Sequence, residues 1–413
     1  MKEPKLRFPE FTDEWKSYKV SEVAEKTFGG GTPKTSNETF WIGDIPWIQS
    51  SDLVDGNLFD INPKKYISQE AINKSAAKLI PENSIAVVTR VGVGKLMFIP
   101  FPYATSQDFL SLSGLKTEPQ FTSYSLYKKL QQDLCKVQGT SIKGITKDEL
   151  LVKEIMMPSY EEQKKIGECL RLVDTLIQSA EKELEGYREL KQGMLQKMFP
   201  KKGEKVPEIR FPEFTGDWEQ RKLGDVCKTN GRIGFRGYTE KDIITKEAGG
   251  VLTFSPTNIV DNQLTIETKN TYITREKYEE SPEIMVKNGN ILFVKTGSTL
   301  GKSALVSEIK EDCTVNPQVV VIKADVELQK ILSVVLISAS VQKQIAAIKI
   351  GGAVPTMTEA ELKNIDLILP QSDDEKIKLG EYFSNLDNLI ALQQKELDGY
   401  KELKKGLLQQ MFC

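Results

Sequence analysis

Leu184-Glu185-Gly186-Tyr187-Arg188-Glu189-Leu190-Lys191-Gln192-Gly193-Met194-Leu195-Gln196-Lys197-Met198-Phe199 is written a second time, as Leu397-Asp398-Gly399-Tyr400-Lys401-Glu402-Leu403-Lys404-Lys405-Gly406-Leu407-Leu408-Gln409-Gln410-Met411-Phe412. The copies stand 213 residues apart (412 − 199). Reading upstream, Leu170, Val173, Ile177, Ala180, Leu184, Tyr187, Lys191, Met194 and Met198 follow alternating steps of three and four. Phe383, Leu386, Ile390, Gln393, Leu397, Tyr400, Lys404, Leu407 and Met411 do the same. That spacing keeps one narrow face of a helix towards a partner helix, as in a coiled coil. Each run spans about 40 residues, or roughly 60 Å at 1.5 Å per residue. Pro158 and Pro370 stand before the runs, followed by Glu161 and Glu162 or Asp373, Asp374 and Glu375. Acids in a first turn suit the positive end of the helix dipole. Two matching seams of matching length predict that the two helices pair with each other. Gly186, Gly193, Gly399 and Gly406 weaken a helix, and their repetition predicts close approach of another backbone or subunit.

A second repeat opens each half. Arg7-Phe8-Pro9-Glu10-Phe11-Thr12 returns as Arg210-Phe211-Pro212-Glu213-Phe214-Thr215. The chain therefore reads as a tandem duplication with a pseudo-twofold character. Its fold class is α+β: two similar domains of mixed α/β content separated by two long antiparallel coiled-coil helices. The boundaries are 1–157, 158–200, 201–369 (with a charged linker at 200–209) and 370–413.

Composition narrows the chemistry. The 413 residues allow two to four domains. No apolar run is long enough for a membrane span, and the lysine- and proline-bearing start does not read as a secretion signal. Cys135, Cys169, Cys227, Cys313 and Cys413 are scattered and read as reduced thiols of a cytoplasmic protein. Histidine is absent, which removes the commonest general base and metal ligand. The net charge is −2, so any affinity for nucleic acid must come from local clusters or from a partner.

Taken in order, Trp15 precedes a short helix-like stretch to Val23. Phe28-Gly29-Gly30-Gly31 is a loop without a convincing strand before it. Ile85–Thr89 reads as a strand, Arg90–Lys95 as a tight turn, and Phe121–Leu134 as a helix. The second half replays this scaffold: Tyr66-Ile67 matches Tyr272-Ile273, Ile85 matches Ile291, and Gly94-Lys95 matches Gly301-Lys302. The loops Gly29–Phe40 and Asn230–Gly249 diverge. A kept scaffold with altered loops suits a protein that reads two different targets.

Three motifs imitate catalytic boxes. Lys295-Thr296-Gly297-Ser298-Thr299-Leu300-Gly301-Lys302-Ser303 approaches a P-loop, but Thr296 replaces the first glycine and Ala304-Leu305-Val306 reads as strand. A hairpin turn carrying Lys302, and Lys95 in the first half, outward fits better. The triglycine lacks the acidic residue of a cofactor loop. Asn316-Pro317-Gln318-Val319 lacks the aromatic residue of an amino-methyltransferase box. For DNA contact the useful groups are polar and basic side chains on loops. The first half offers Thr32, Lys34, Asn37, Arg90, Lys95, Gln107, Ser141 and Lys143. The second offers Arg232, Arg236, Tyr238, Lys295, Thr296, Lys302 and Gln318.

The duplicated Phe-Pro-Glu-Phe lead-ins, Gly30-Gly31-Thr32-Pro33, Ile45-Pro46-Trp47-Ile48, Gly139-Thr140-Ser141 through Ile145-Thr146, and Pro158 to Glu162-Gln163 give the chain a resemblance to a known family. It resembles the specificity subunit of a type I restriction–modification enzyme over essentially its whole length. In the second half Gly-Gly-Thr-Pro is absent, and the Glu162-Gln163 pair is matched to Asp374-Glu375. The resemblance implies a non-catalytic reader of double-stranded DNA. Each target-recognition domain would read one half of a bipartite asymmetric site, and the helices would set the spacer. It implies two methyltransferase subunits, which use S-adenosylmethionine, and two restriction/translocase subunits, which use ATP and Mg. This chain itself would bind no cofactor. The implied subunit interface is the repeated helix motif: Leu184, Tyr187, Leu190, Met194, Leu397, Tyr400, Leu403 and Leu407. Two alternatives are a fused methyltransferase-specificity enzyme and a coiled-coil adaptor that binds only protein; missing catalytic boxes argue against the first, polar divergent loops against the second.

Overall fold

The computed structural model describes residues 3–136, 144–201, 203–266, 270–348 and 354–412. The chain divides into two compact units, 1–182 with 394–413, and 183–393. In chain order the first unit holds β1 (Lys16–Lys19), β2 (Ala24–Gly29), β3 (Ile45–Ile48), β4 (Lys65–Ile67), α1 (Gln69–Lys74), β5 (Ser84–Val88), β6 (Leu96–Ile99), β7 (Ala104–Thr105), β8 (Phe109–Leu115), α2 (Pro119–Lys136), α3 (Lys147–Leu151) and β9 (Glu154–Met157). The long helix α4 (Tyr160–Lys197) begins there. The second unit holds β10 (Glu219–Lys222), α5 (Leu223–Val226), β11 (Lys228–Gly231), β12 (Ile243–Ile244), β13 (Val251–Phe254), β14 (Ile259–Val260), β15 (Gln263–Leu264), β16 (Thr271–Ile273), α6 (Arg275–Glu279), β17 (Ile291–Val294), β18 (Ser303–Leu305), β19 (Cys313–Val315), β20 (Val319–Lys323), α7 (Val326–Leu336), α8 (Ala339–Ile348), α9 (Glu359–Lys363) and β21 (Asp366–Leu369). The second long helix, α10 (Asp373–Gln410), starts in it.

The two units repeat one topology. An antiparallel sheet runs β2-β8-β5-β6 in the first and β11-β20-β17-β18 in the second. A second sheet runs β4-β3-β7 in one, and β12-β16-β13-β19 in the other. In both, one parallel pair, β3 with β7 or β13 with β19, closes that sheet. Strand β5 is buried along its whole length, which is why it reads as an unbroken apolar run. Alternation then sorts its side chains. Ile85 and Val87 pack with Trp15, Phe121 and Leu170 on the helix side. Ala86 and Val88 pack with Ile48, Leu53 and Ile80 on the second-sheet side. In β17, Ile291 and Phe293 face Trp218, Ile331 and Phe383, while Leu292 and Val294 face Phe254, Ile259 and Ile284.

Each long helix has 38 residues, about 57 Å at 1.5 Å per residue. Each unit contains the beginning of one and the end of the other. In the first unit Lys404 bonds Asp174 at 2.5 Å and Lys401 bonds Glu181 at 2.8 Å, so the two segments run antiparallel. In the second, Lys191 bonds Asp387 at 2.5 Å. Lys404–Asp174 and Lys191–Asp387 occupy the same place in the repeat; the seam reading found the lysines and missed the aspartates. Burial raises the pKa of Asp387 from its ordinary value, and Lys191 opposes the shift. The helix ends plug the cores: Phe412 stacks on Phe121 at 5.1 Å, and Phe199 meets Trp218 edge-on at 5.8 Å.

The repeated lead-in is a clamp on the long helix. Arg7 Nε and Nη2 donate to both oxygens of Glu162 at 2.7 and 2.9 Å, and Trp15 Nε1 donates to the same carboxylate. Arg210 and Trp218 hold Glu375 the same way, at 2.7 and 2.8 Å for the two arginine bonds. Glu10 pairs with Lys165 and Glu213 with Lys378. The lead-in also caps a helix end: Leu6 N donates to Gln410 O, and Ile209 N to Lys197 O. Glu162 therefore corresponds to Glu375, and the sequence match of Glu162-Gln163 to Asp374-Glu375 is one residue out of register.

Other expectations are corrected too. Residues 16–19 form β1 and not a helix, because they pair with β9 from Lys16↔Met157 to Lys19↔Glu154; only Val20–Glu22 makes a helical turn. The triglycine does follow a strand, β2, whose polar edge position hid its pattern. Next to the end of α4, Glu208 pairs with Lys197 and Lys201. The apolar helices α7 and α8 meet at 64°, and Ile331, Leu332, Val341 and Ile345 are buried in their own unit. Among the described residues no single helix is long and apolar enough to cross a membrane.

Candidate nucleic-acid interface

Loops from four places in the chain gather at one edge of each main sheet. In the first unit Thr89 N donates to Asp108 O, Ile145 N to Thr89 O, Ser106 N to Ile48 O and Val88 N to Lys95 O, at 2.7–3.0 Å. In the second unit Lys295 N donates to Gln318 O, Met357 N to Lys295 O, Asn316 N to Phe254 O and Val294 N to Lys302 O, all at 2.8 Å. These are the same four bonds. They tie the β5–β6 turn to the β7–β8 connection and to residues 144–146, or their counterparts. Thr146 and Thr358 then cap α3 and α9 through identical capping boxes with Glu149 and Glu361.

The loop after β2 joins this edge by close contact. Gly31 N donates to Thr105 O at 2.8 Å. A Cβ on Gly30 would lie 1.9 Å from Ser106 O, and one on Gly31 would lie 2.1 Å from Ala76 O, so both positions require glycine. The glycines that imitated a cofactor loop are thus packing glycines.

The structure brings most of the sequence-chosen residues to these edges, in different roles. Thr32 donates to Gln107 at 2.5 Å. Lys34 and Arg90 are exposed. Asn37 accepts from Thr39 N as a helix cap. Lys302 is exposed on the β17–β18 turn, Lys295 and Thr296 are half-buried, and Gln318 is exposed beside Asn316. Ser141 and Lys143 lie outside the described residues. Two expectations change. Lys95 does not point outward: its ammonium donates to Leu53 O at 2.9 Å. Arg232 is only 6% exposed, with Nε and Nη2 bonded to Val315 O at 3.2 and 3.1 Å. Desolvation lowers its pKa from the ordinary arginine value, opposed by Tyr238, Glu283 and Glu280. Arg236 donates to Glu280 O at 3.0 Å and pairs with Glu283 at 3.5 Å, and Tyr238 lies under Arg232 with its centroid 5.4 Å away.

Sequence reasoning quoted Trp47 in a motif but did not read the role of either tryptophan. Trp47 Nε1 donates to Gly31 O at 3.1 Å and Trp41 Nε1 to Lys34 O at 3.4 Å, with Lys65 5.7 Å from each ring. Two indoles within seven residues of each other, just after a glycine-rich loop, were the available signal.

On the helices, Leu190 and Leu403 are 40% and 47% exposed. Tyr187, Met194, Tyr400 and Leu407 are half-buried. Leu184 and Leu397 are buried within the chain and cannot offer a partner their side chains. A Cβ on Gly186, Gly193, Gly399 or Gly406 would meet nothing within 4 Å, so the chain's own backbone makes no close approach there.

Residues 12–186 and 215–400 each match the type I restriction modification DNA specificity domain. The chain is 24% identical over 409 residues to the type I restriction enzyme MjaIX specificity subunit of Methanocaldococcus jannaschii, covering 96% of this chain and 92% of that one. It is 33% identical over 195 residues to the EcoR124I/EcoR124II specificity subunit of Escherichia coli, covering 45% and 47%. The crystal structure of a type I restriction-modification system S subunit from M. genitalium superposes with a TM-score of 0.64, covering 100% of this chain and 99% of that chain at 14% identity; at that identity the likeness is one of fold.

Proposed function

Because the chain belongs to the type I restriction modification DNA specificity family, we propose that its two loop edges each read one part of a bipartite, asymmetric DNA site. The carrying observation is the pair of loop edges built by the same four backbone bonds with different side chains on them. These bonds lie within the protein and hold the loops in place; the side chains the loops carry would read base edges. Arg90 with Gln107 on one edge, and Lys302 with Gln318 on the other, present donors and acceptors of the kinds that read base edges. The long helices keep a fixed distance between the parts of the target and dock two methyltransferase subunits. S-adenosylmethionine, ATP and Mg serve those subunits and two restriction/translocase subunits, the chain itself is not catalytic, and the complex works in the cytoplasm.

The test is to express the chain with its methyltransferase partner and map methylated adenines across the host DNA. The expected result is one two-part motif with a constant spacer. A single continuous motif, or a spacer that varies freely, would count against the reading.

The helix glycines give a second readout. Gly186→Ala or Gly399→Ala raises helix stability by about 0.8–1 kcal/mol, since the added methyl meets nothing in the chain. Site-resolved hydrogen exchange in the helix of each variant alone checks the gain. A variant that is stabilised alone but no longer binds the methyltransferase subunit would place that subunit against the glycine.

A further inference from the structure

Arg232 sits at the start of the loop after β11, where the sequence suggests a base-reading arginine. Its guanidinium faces the other way. Nη2 donates to Thr314 Oγ1 at 3.2 Å as well as to Val315 O, and Nη1 donates to Arg236 O at 3.4 Å. Thr314 and Val315 are wholly buried, and Thr314 in turn donates to Ile284 O at 3.3 Å. Val315 ends β19, directly before the Asn316–Gln318 connection. One side chain thus joins the loop at Arg236 to the segment that leads into the other half of the reading edge. Reading guanine in bidentate fashion needs two free donors on an open edge of the guanidinium, and here those donors are spent on the chain's own carbonyls.

We infer that Arg232 is a positioning residue for the half-site read by residues 183–393: it fixes the register of the 232–238 loop against the 316–318 connection and does not touch a base. The inference rests on the proposed reading of two half-sites. A planar fork of donors can span Val315 O, Thr314 Oγ1 and Arg236 O together, whereas a lysine ammonium is a single point. Arg232→Lys therefore keeps the charge and loses the clamp. Thr314→Val removes one acceptor without stranding a charge.

The experiment uses the full chain assembled with its methyltransferase subunits. Methylation rates are compared on the native target and on targets with single-base changes in either half. Arg232→Lys lowers discrimination about tenfold or more in the half read by residues 183–393 and leaves the other half unchanged. Thr314→Val produces a smaller loss in the same half, and it decides the question if the lysine variant does not assemble. Trp47→Phe, which removes the donor to Gly31 O, loosens the opposite half. Unchanged discrimination in Arg232→Lys and Thr314→Val, or equal loss in both halves, overturns the assignment. If native complex shows no two-part target at all, the half-site reading itself fails before any variant is compared.

Discussion

Glu375→Ala destabilises the unit of residues 183–393 by about 2–4 kcal/mol, somewhat below the cost of removing one partner from a fully buried ion pair, since Arg210 is part-buried. Glu375 is 1% exposed and accepts two bonds from Arg210 and one from Trp218. Its loss leaves a guanidinium whose pKa the Glu375 bond raises with only the carbonyls of Thr215 and Gly216 as acceptors, and leaves an indole N–H buried in the core. Glu162→Ala does the same to Arg7 and Trp15. Arg210→Ala combined with Glu375→Ala costs less than the sum of the single changes, because no charge is then left alone. With two compact units the chain is not a two-state system, so the measurement is site-resolved hydrogen exchange. Faster exchange confined to β10, β21 and the first turns of α10 is expected. A Glu375→Ala chain within about 1 kcal/mol of the parent would show that the clamp is ornamental; the figure expected for a surface pair is that small.

That clamp shows which features were legible in the sequence. The long helices were, because a 3,4 seam persists over about eight turns. Every seam position from Leu170 to Met198 and from Phe383 to Met411 is buried or half-buried. The sequence did not say which segment covers each part of the seam, since periodicity marks a face without naming its partner; the ends of α4 and α10 lie in different units from their beginnings. Strands β5 and β17 were legible because both faces are apolar. Strands β1 and β10 were not, because their residues are exposed and polar and become strands only by pairing with β9 and β21. The lead-in repeat was visible, but its purpose depends on Glu162 and Glu375, 155 and 165 residues away. The matching positions of the loops in the two halves were visible in the sequence, but not that backbone bonds gather them. Individual roles were not: Lys95 and Arg232 look like surface cations in sequence, and only the fold reveals the carbonyls that hold them.

Replacing residues 16–157 with the corresponding domain of another family member changes one half of the methylated target completely and leaves the other half as it was. The cut points are physically adjacent, since Lys16 pairs with Met157 across the β1–β9 ladder. The graft therefore carries its own ladder and leaves Arg7, Trp15 and Glu162 in place. Several of its side chains must still match what stays behind, four of them through ring or hydrogen-bond contacts that can be copied directly. Phe121 stacks on Phe412, Tyr124 OH bonds Asp174 at 2.5 Å, Lys128 donates to Phe412 O at 2.8 Å, and Asp60 accepts two bonds from Arg171. Keeping these identities in the graft separates failure to fold from failure to read. Each wrong base pair in a specific site costs about 1–3 kcal/mol, roughly additively. A half-site altered at three positions is then disfavoured by about 3–9 kcal/mol, a hundredfold or more in relative methylation. The old first half should thus disappear from the genome-wide map of methylated adenines while the second half and the spacer persist. The spacer persists because α4 and α10 are untouched by the exchange. If both halves of the target change together, the two loop edges are not independent readers, and the duplicated backbone bonds that gather them serve folding alone.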